Sequence, residues 1–248
     1  MLIKLVMKLQ YNREEKLSYQ ISSVMHGILM EHVSYEFGEE LHLNGVKPFS
    51  QYITNMKEDS FQWNICTMTE NAKKEIIDSL CKKKEFYMKH KDLKLEVMDV
   101  SMTSIGYEEL TEKYYFKEQP RYIDLQFLTP TAFKSNGCYV FFPSVRHIFQ
   151  SLMNKYDTFS LESSIGSQEV LEHLEKYVQV NKYQLKSVRF SLEGVRIPAF
   201  IGSFTLKVNG PQQLVNLANM LIAFGEFSGV GIKSTLGMGA IINRERVR

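Results

Sequence analysis

The residues best suited to chemistry lie near the C-terminus, where residues 229–239 read Gly-Val-Gly-Ile-Lys-Ser-Thr-Leu-Gly-Met-Gly. Glycine permits positive φ angles and lets another chain approach the backbone closely. Successive exposed N–H groups form an anion-binding concavity, to which a lysine at the rim adds positive charge. This glycine-rich loop is therefore predicted to bind the phosphate of a phosphorylated molecule or a nucleic acid. The predicted contacts are Gly229, Gly231, Lys233, Ser234, Thr235, Gly237 and Gly239.

Two common phosphate-binding loops do not fit this segment. A P-loop requires glycine immediately before the lysine, and Ile232 stands there. The dinucleotide fingerprint requires a further glycine where this chain has Ser234, and residues 212–226 before the loop read as a helix rather than a strand. A glycine-rich turn without a ligand is the remaining alternative.

His26 is the candidate for proton transfer, because the unperturbed pKa of histidine is about 6.5. Residues 17–33 predict an amphipathic helix, on which His26 lies opposite the apolar stripe at about 100° per residue. Tyr19 falls on nearly the same line as His26. The helix is thus predicted to present His26 to solvent, and an ordinary surface histidine is the alternative. The stripe consists of Leu17, Ile21, Val24 and Ile28.

Composition predicts a globular protein of the reducing, cytoplasmic compartment. The chain has 248 residues, of which 44% are apolar, and no apolar run is long enough for a transmembrane helix. Its three cysteines are widely spaced and form no Cys-x-x-Cys pair, which argues against a disulfide framework and a zinc site. The formal net charge is only +2, so local basic clusters must carry any binding of nucleic acid.

The order of predicted elements indicates an α+β fold with two tandem ferredoxin-like (RRM-like) domains and a cleft between them. Strand, helix, strand, strand, helix, strand is the ferredoxin-like order. It is read first along residues 1–110, which carry His26, and again along residues 120–248, which carry the glycine-rich loop. The polar stretch 103–120 is the predicted linker. Helices are predicted at residues 69–77, 145–159 and near 168–177, and the last strand at residues 238–242.

A family resemblance follows from the order helix, Gly-h-Gly-x5-Gly-h-Gly and short final strand, where h is apolar. This order resembles the C-terminal glycine-rich loop of the repeat-associated RNA-binding superfamily of CRISPR systems. Residues 25–30 (Met-His-Gly-Ile-Leu-Met), 128–134 (Leu-Thr-Pro-Thr-Ala-Phe-Lys) and 141–143 (Phe-Phe-Pro) also resemble segments of its Cas6 family. That family consists of endoribonucleases that cut CRISPR precursor RNA within its repeats, and the resemblance covers essentially the whole chain.

The resemblance implies a metal-independent endoribonuclease with His26 as a catalytic residue. In such a reaction the ribose 2′-OH attacks the adjacent phosphate, which leaves 2′,3′-cyclic phosphate and 5′-OH ends. The family pairs its histidine with a tyrosine or a lysine. Tyr19 is the first choice of tyrosine and Tyr11 the second, whereas Lys47 and Lys134 are left open as the lysine. No metal motif such as His-Glu-x-x-His is present, so neither a metal nor another cofactor is expected.

CRISPR repeat RNA is the expected partner, and no membrane is expected. Lys186 and Arg189 are three apart on a predicted strand and therefore point to opposite faces. The alternative function is a non-catalytic guide-RNA-binding subunit of a CRISPR effector complex, and a third is an RNA-binding protein of unrelated biology. A transient association with an effector complex and a homodimer are also left open. Further predicted RNA contacts are Lys134, Arg146, Lys186 and Arg189.

Overall fold

The structure is a computed structural model, in which the chain forms two compact units. The first unit comprises Met1–Ser104 together with Thr235–Gly237, and the second comprises Ile105–Ser234 and the segment from Met238 onward. The predicted domain limits at residues 110 and 120 stay predictions. The side chain of Tyr19 is outside the described part. The structure describes residues 1–12, 17–43, 45–160, 164–192 and 194–244.

The first unit is built around a five-stranded sheet with the order β2-β3-β1-β5-β4. Strand β3 runs antiparallel to both of its neighbours, β1 and β2. The segment between α3 and α4, Lys73–Ile77, continues as a π-helix. The elements are β1 Leu2–Gln10, α1 Ser22–Met30, α2 Tyr35–Leu43, β2 Phe49–Thr54, β3 Ser60–Thr67, α3 Glu70–Ala72, α4 Asp78–Leu80, β4 Glu85–Met88 and β5 Leu93–Ile105.

The core of the first unit lies between this sheet and its helices. Strand β1 alternates apolar and polar side chains, and Met7 lies opposite Trp63 of β3 in the register. Both side chains are fully buried, as is Met25 on α1. A buried aromatic side chain of this size contributes a large share of the apolar surface removed from water, so Trp63 anchors the sheet that carries the site residues of this unit.

Helix α1 is shorter than the predicted helix 17–33. It is preceded by a 3-10 turn at Tyr19–Ile21 and ends at Met30. The ring of His32 contacts the Ile28 carbonyl through Nδ1 at 2.8 Å, and the Ser79 hydroxyl donates to the His32 carbonyl at 2.7 Å. The first contact uses a carbonyl of the last helical turn, and the second holds the chain just beyond the helix. In contrast, the predicted helix 69–77 is present, with Thr69 as its N-cap.

The second unit is built around a four-stranded sheet with the order β11-β6-β10-β9. Strand β10 pairs antiparallel with both β6 and β9. The short strands β7 and β8 form a separate hairpin. The elements are α5 Tyr107–Tyr114, β6 Tyr122–Thr131, β7 Phe133–Ser135, β8 Cys138–Val140, α6 Val145–Phe159, α7 Gln168–Tyr177, β9 Val178–Leu192, β10 Val195–Val208, α8 Gln212–Ser228 and β11 Ile241–Asn243.

The predicted linker 103–120 is not a linker throughout, because it contains α5. The ring of Tyr107 on this helix contacts the rings of Tyr156 and Phe224, and Leu110 is buried. These apolar contacts make α5 part of the second unit's helical layer. Its charged outer face explains why the sequence reads as polar.

Both sheets confirm the predicted ferredoxin-like fold class. If the four strands of each strand-helix-strand-strand-helix-strand unit are numbered in chain order, the spatial order is 4-1-3-2 in both sheets, with β4 added at one edge of the first. In each unit the helices bury their apolar faces against one side of the sheet, as an α+β fold requires. No helix among the described residues is long and apolar enough to span a membrane.

Candidate functional site

The glycine-rich loop follows directly from the end of α8 and leads into β11. Several of its residues have positive φ, including Lys233 at +58°. At Gly231, where φ is +74°, a Cβ atom would collide with the Ala132 carbonyl. Glycine is required there because the loop lies directly on the chain that leaves β6.

Most loop amides are used within the protein rather than exposed to a ligand. Val230 donates to the Gly239 carbonyl at 2.8 Å, and Gly239 donates to the Pro130 carbonyl at 3.0 Å. Ile232 donates to the Ala132 carbonyl at 3.0 Å. These bonds hold the two Gly-x-Gly pairs against each other and against the end of β6. They also delay the final strand, which begins at Ile241 rather than at the predicted residue 238.

The middle of the loop has amides that remain available. Ser234–Leu236 forms a 3-10 turn. The N–H groups of Lys233, Ser234 and Thr235 precede the first hydrogen bond of this turn, and within the described ranges none has a protein acceptor. The Lys233 side chain is exposed. The part of the loop that can meet an anion is therefore its centre rather than its glycines.

His26 lies on α1 and is only partly exposed. Its ring stacks on Phe49 of β2, with centroids 5.9 Å apart and an interplanar angle of 6°. The predicted solvent-facing position is therefore wrong in part, because the helical periodicity does not reveal the neighbouring strand that covers the ring. His26 Nδ1 is buried and has no hydrogen-bond partner among the described residues.

Burial lowers the pKa of His26 below its usual value, while a backbone contact with Thr235 acts in the opposite direction. Desolvation disfavours the charged imidazolium, whereas a carbonyl near the ring favours it. Burial, the larger effect, therefore favours the neutral ring. Thr235 is the first residue of the loop tip, Thr235–Gly237, so the candidate base and the loop tip adjoin each other within the first unit.

Gln51 connects the histidine-bearing helix to the loop tip. Its Nε2 donates to the Ser22 carbonyl at 2.8 Å and to the Thr235 carbonyl at 2.9 Å. Its Oε1 accepts from Trp63 Nε1 at 2.9 Å. The side chain is fully buried. Gln51 was not predicted, because β2 also contains Ser50 and Thr54 and the glutamine does not stand out in it. Its burial is explained by its hydrogen bonds, since buried polar groups are almost always hydrogen-bonded.

Gly237 brings the loop tip directly onto α1. Its φ is +102°, and a Cβ atom there would collide with the Ser22 side chain. Ser22 occupies the first turn of α1 and is buried. Gly237 therefore allows close packing of the loop tip beside the helix of His26.

Of the two predicted tyrosine partners of His26, the structure describes the side chain of Tyr11. Tyr11 is buried, and its hydroxyl donates to the Lys57 carbonyl at 3.0 Å. Burial, and next the charge of Asp59, raise the pKa of Tyr11. This placement favours a structural role for Tyr11. The side chain of Tyr19 lies outside the described part, so its role stays a prediction.

Lys134 is exposed on β7, two positions after Ala132, whose carbonyl accepts a hydrogen bond from the loop amide of Ile232. Lys47 donates to the Leu41 carbonyl. Arg146 pairs with Glu175 at 2.6 Å between α6 and α7, so its guanidinium is already engaged.

Lys186 and Arg189 are exposed on the edge strand β9. The register places Lys186 opposite Ile201 and Arg189 opposite Pro198. Because side chains alternate along a strand, the two point to opposite faces, as predicted. Strands β9 and β10 form a hairpin, and its end contacts the glycine-rich loop through an apolar cluster. The cluster consists of Ala132, Phe190, Ile197, Ala199 and Met238, with Val188, Leu192 and Ile232 packed against it.

No group of three or more His, Cys, Asp or Glu side chains that could hold a metal ion occurs in the described ranges. His26 is contacted by the Phe49 ring and by the backbone of Thr235, which Gln51 in turn holds. Such a set suits proton transfer and hydrogen bonding. The fold and this site define a protein of the tandem ferredoxin-like class with a C-terminal glycine-rich loop beside a histidine.

Comparison with known proteins identifies the family. The sequence model of the CRISPR-associated endoribonuclease Cas6 family matches residues 125–241. The chain is 35% identical over 237 residues to the CRISPR-associated endoribonuclease Cas6 of Streptococcus thermophilus, covering 95% of this chain and 96% of that relative. A Mycobacterium tuberculosis relative of the same name is 32% identical over 219 residues, covering 88% of this chain and 69% of that relative. The chain therefore belongs to the Cas6 family of CRISPR-associated endoribonucleases.

Solved structures agree on the fold. The product complex of the Cas6 TTHB231 has a TM-score of 0.81 at 23% identity and covers 98% of this chain and 100% of that chain. Another structure of that protein, which comes from Thermus thermophilus, has a TM-score of 0.77 at 22% identity and covers 98% of both chains. The predicted family, tandem ferredoxin-like fold and endoribonuclease class are confirmed.

Proposed function

We propose that this chain cleaves CRISPR precursor RNA within its repeats and that His26 carries out proton transfer without a metal ion. The observation that carries the proposal is the position of His26 next to Thr235 of the glycine-rich loop. A neutral imidazole beside a phosphate-binding loop meets the needs of RNA cleavage, because the RNA supplies its own nucleophile. The similarity to relatives named CRISPR-associated endoribonucleases supports the same reaction class.

The proposed reaction begins when His26 accepts the proton of the ribose 2′-OH. The 2′-oxygen attacks the adjacent phosphorus, and the bond to the 5′-oxygen of the next nucleotide breaks. The products are a 2′,3′-cyclic phosphate and a 5′-OH, the latter formed when the leaving oxygen takes up a proton. A positioned base contributes a factor of about 10²–10⁴ to the rate.

The loop centre stabilises the charge on the phosphate in this proposal. The amides of Lys233, Ser234 and Thr235 are free of protein acceptors within the described residues, and the Lys233 ammonium is exposed beside them. Hydrogen-bond donors fixed near a developing negative charge are often the largest single contribution to catalysis. A lysine adds a point charge that suits phosphate.

The test is cleavage of a CRISPR repeat RNA in EDTA by the wild type and by His26→Ala. We expect one cut with 2′,3′-cyclic phosphate ends for the wild type. We expect at least about a hundredfold slower cleavage for the variant, the lower limit for loss of one acid–base group. His90→Ala, on a 3-10 turn remote in sequence, serves as the histidine control.

RNA binding should survive in His26→Ala, since the loop is unchanged. Binding without any cleavage by the wild type would instead support the guide-RNA-binding subunit of an effector complex. Association with such a complex, a homodimer and a cytoplasmic location stay predictions. Equal cleavage by wild type and His26→Ala would remove His26 from the mechanism.

A further inference from the structure

Lys155 is a buried lysine on α6. Its side chain is hydrogen-bonded to the glycine-rich loop and to the end of α8, the helix before the loop. Its Nζ donates to the Ser228 and Gly229 carbonyls, each at 3.0 Å, and to Ser234 Oγ at 3.3 Å. The residue is only 9% exposed. An ammonium group has three N–H donors, and here all three are used.

The surroundings of Lys155 make this arrangement costly in free energy. Burial lowers the pKa of Lys155 to about 7, and no charged neighbour contributes. A buried charge without an ionic partner is disfavoured by desolvation. The hydrogen bonds to the two carbonyls and to Ser234 Oγ offset part of that cost. The lysine therefore stabilises chiefly the positions of these acceptors.

The three acceptors show what the lysine holds in place. Ser228 is the last residue of α8, and carbonyls at a helix C-terminus carry partial negative charge that a cation favours. Ser234 lies on the far side of the first Gly-x-Gly pair. One side chain thus joins the beginning of the loop to its centre. The Gly231 amide makes a second link between the loop and α6, the helix of Lys155, since it donates to Ser151 Oγ at 2.8 Å.

We propose that Lys155 is a positioning residue for RNA binding, which fixes Ser234 so that the free amides at the loop centre converge on a phosphate. The proposal rests on the proposed function of the glycine-rich loop. Lys155 does not touch the RNA, because it is buried. It acts on the available N–H groups of Lys233, Ser234 and Thr235 by holding the backbone that carries them.

The test compares Lys155→Met with the wild type, because methionine has similar length and no charge. Affinity is measured with a repeat RNA carrying a 2′-deoxyribose at the scissile position, which cannot be cleaved. We expect the dissociation constant of the folded protein to rise at least about tenfold. Removal of the desolvated charge raises the melting temperature and loss of the donor to two buried carbonyls lowers it, so affinity is measured well below the melting temperature of the variant. A residue with a merely structural role would leave the affinity of the folded protein unchanged.

A second measurement follows the loop directly in the absence of RNA. Amide hydrogen exchange should accelerate in Lys155→Met at the bonded amides of Val230 and Ile232, with the sheet amides unchanged. Lys176→Met, on the neighbouring helix α7, is the matched control, because it removes an equal charge at a site where the lysine lies over the Tyr177 ring. It should match the wild type in both measurements. Lys155→Gln replaces Lys155→Met if the latter does not fold.

Lys233→Ala separates this inference from the proposed function. If Lys233→Ala weakens binding and Lys155→Met binds as the wild type does with unchanged loop exchange, the positioning role is wrong and the loop remains the RNA site. If neither variant changes the dissociation constant, the glycine-rich loop is not the RNA site. Weaker binding in both variants, together with faster loop exchange in Lys155→Met, supports the inference.

Discussion

His26 and Gln51 show how single side chains define this site. The sequence indicated His26, because histidine titrates near neutral pH and the surrounding pattern is helical. It could not indicate that Phe49 covers the ring or that Gln51 reaches Thr235, since residues 51 and 235 meet only in the folded chain. Lys155 was missed for the same reason, because its three acceptors lie far along the sequence.

The pH dependence of cleavage should reflect the lowered pKa of His26. The unprotonated ring is the proposed base, and kcat/KM reports ionisation in the free enzyme. We expect the acidic limb of log(kcat/KM) to have its midpoint below the usual histidine value of about 6.5. Cleavage measured across roughly pH 5–8 checks this, in the range where histidine titrates, and a midpoint above the usual value would contradict it.

The same shift affects stability, with a definite sign. The unfolded chain binds the proton of His26 more tightly than the folded chain, so this contribution to stability is complete above about pH 6.5 and is lost as the pH falls through the folded-state pKa. The free energy of unfolding should therefore fall as the pH drops below about 6.5, as expected for a base that is buried in its neutral form.

Gln51→Leu should destabilise the first unit. The substitution leaves the Trp63 N–H and the carbonyls of Ser22 and Thr235 without their partner. An unsatisfied buried polar group costs about 1–3 kcal/mol, so we expect the free energy of unfolding to fall by about 2–4 kcal/mol in urea denaturation. Gln62→Leu on the adjacent strand, where the amide oxygen meets only exposed Asn55, is the control and should change it by less than about 1 kcal/mol. Equal effects would show that Gln51 has no special role.

At the scale of the element, periodicity and caps predicted some segments completely. Helix α6 at Val145–Phe159 and helix α7 at Gln168–Tyr177 have the predicted limits, since each has a serine N-cap and a strong apolar face. Helix α2 and strand β4 were not predicted. Only Phe37 and Leu41 are buried on α2, and β4 is too short for a pattern to emerge. Such elements are stabilised by contacts with other segments of the fold, as β4 is by pairing with β5.

The glycines of α1 and the loop tip should respond in opposite ways to alanine. At Gly237 the added Cβ meets Ser22 and φ is +102°, so we expect Gly237→Ala to lose about 1–3 kcal/mol of stability and to slow cleavage. At Gly27, next to His26, a Cβ has open space, and alanine should stabilise the helix by up to about 1 kcal/mol. Thermal unfolding and single-turnover cleavage of both variants check this. A Gly237→Ala protein as stable and as active as the wild type would contradict the observed packing.

At the scale of the whole molecule, the net charge of +2 gives little general attraction for RNA. Affinity must then come from a few cationic groups that contact phosphates. The slope of log K against log salt should report the number of these contacts. The duplicated ferredoxin-like order was predictable, because the pattern of apolar and polar residues indicates strands and helices one after another along the sequence. The assignment of Thr235–Gly237 to the first unit was not, since no local pattern marks such a long-range contact.

Lys233→Ala should reduce the salt dependence of RNA binding. Loss of one phosphate contact lowers the slope of log K against log salt by about 0.7–0.9, depending on whether the RNA is single- or double-stranded. Titration of uncleavable repeat RNA at several salt concentrations measures the slope. Lys176→Ala removes the same charge away from the loop and should leave the slope unchanged. An unchanged slope for Lys233→Ala would exclude this phosphate contact.

Residues far along the chain complete the first unit. A nascent polypeptide that has not yet reached Thr235 cannot form the hydrogen bond from Gln51, and Ser22 is not yet covered by Gly237. The surroundings of His26 therefore remain unfinished on the ribosome until Gly237 has been translated. Co-translational folding of the first unit thus waits for a segment that is synthesised long after its sheet.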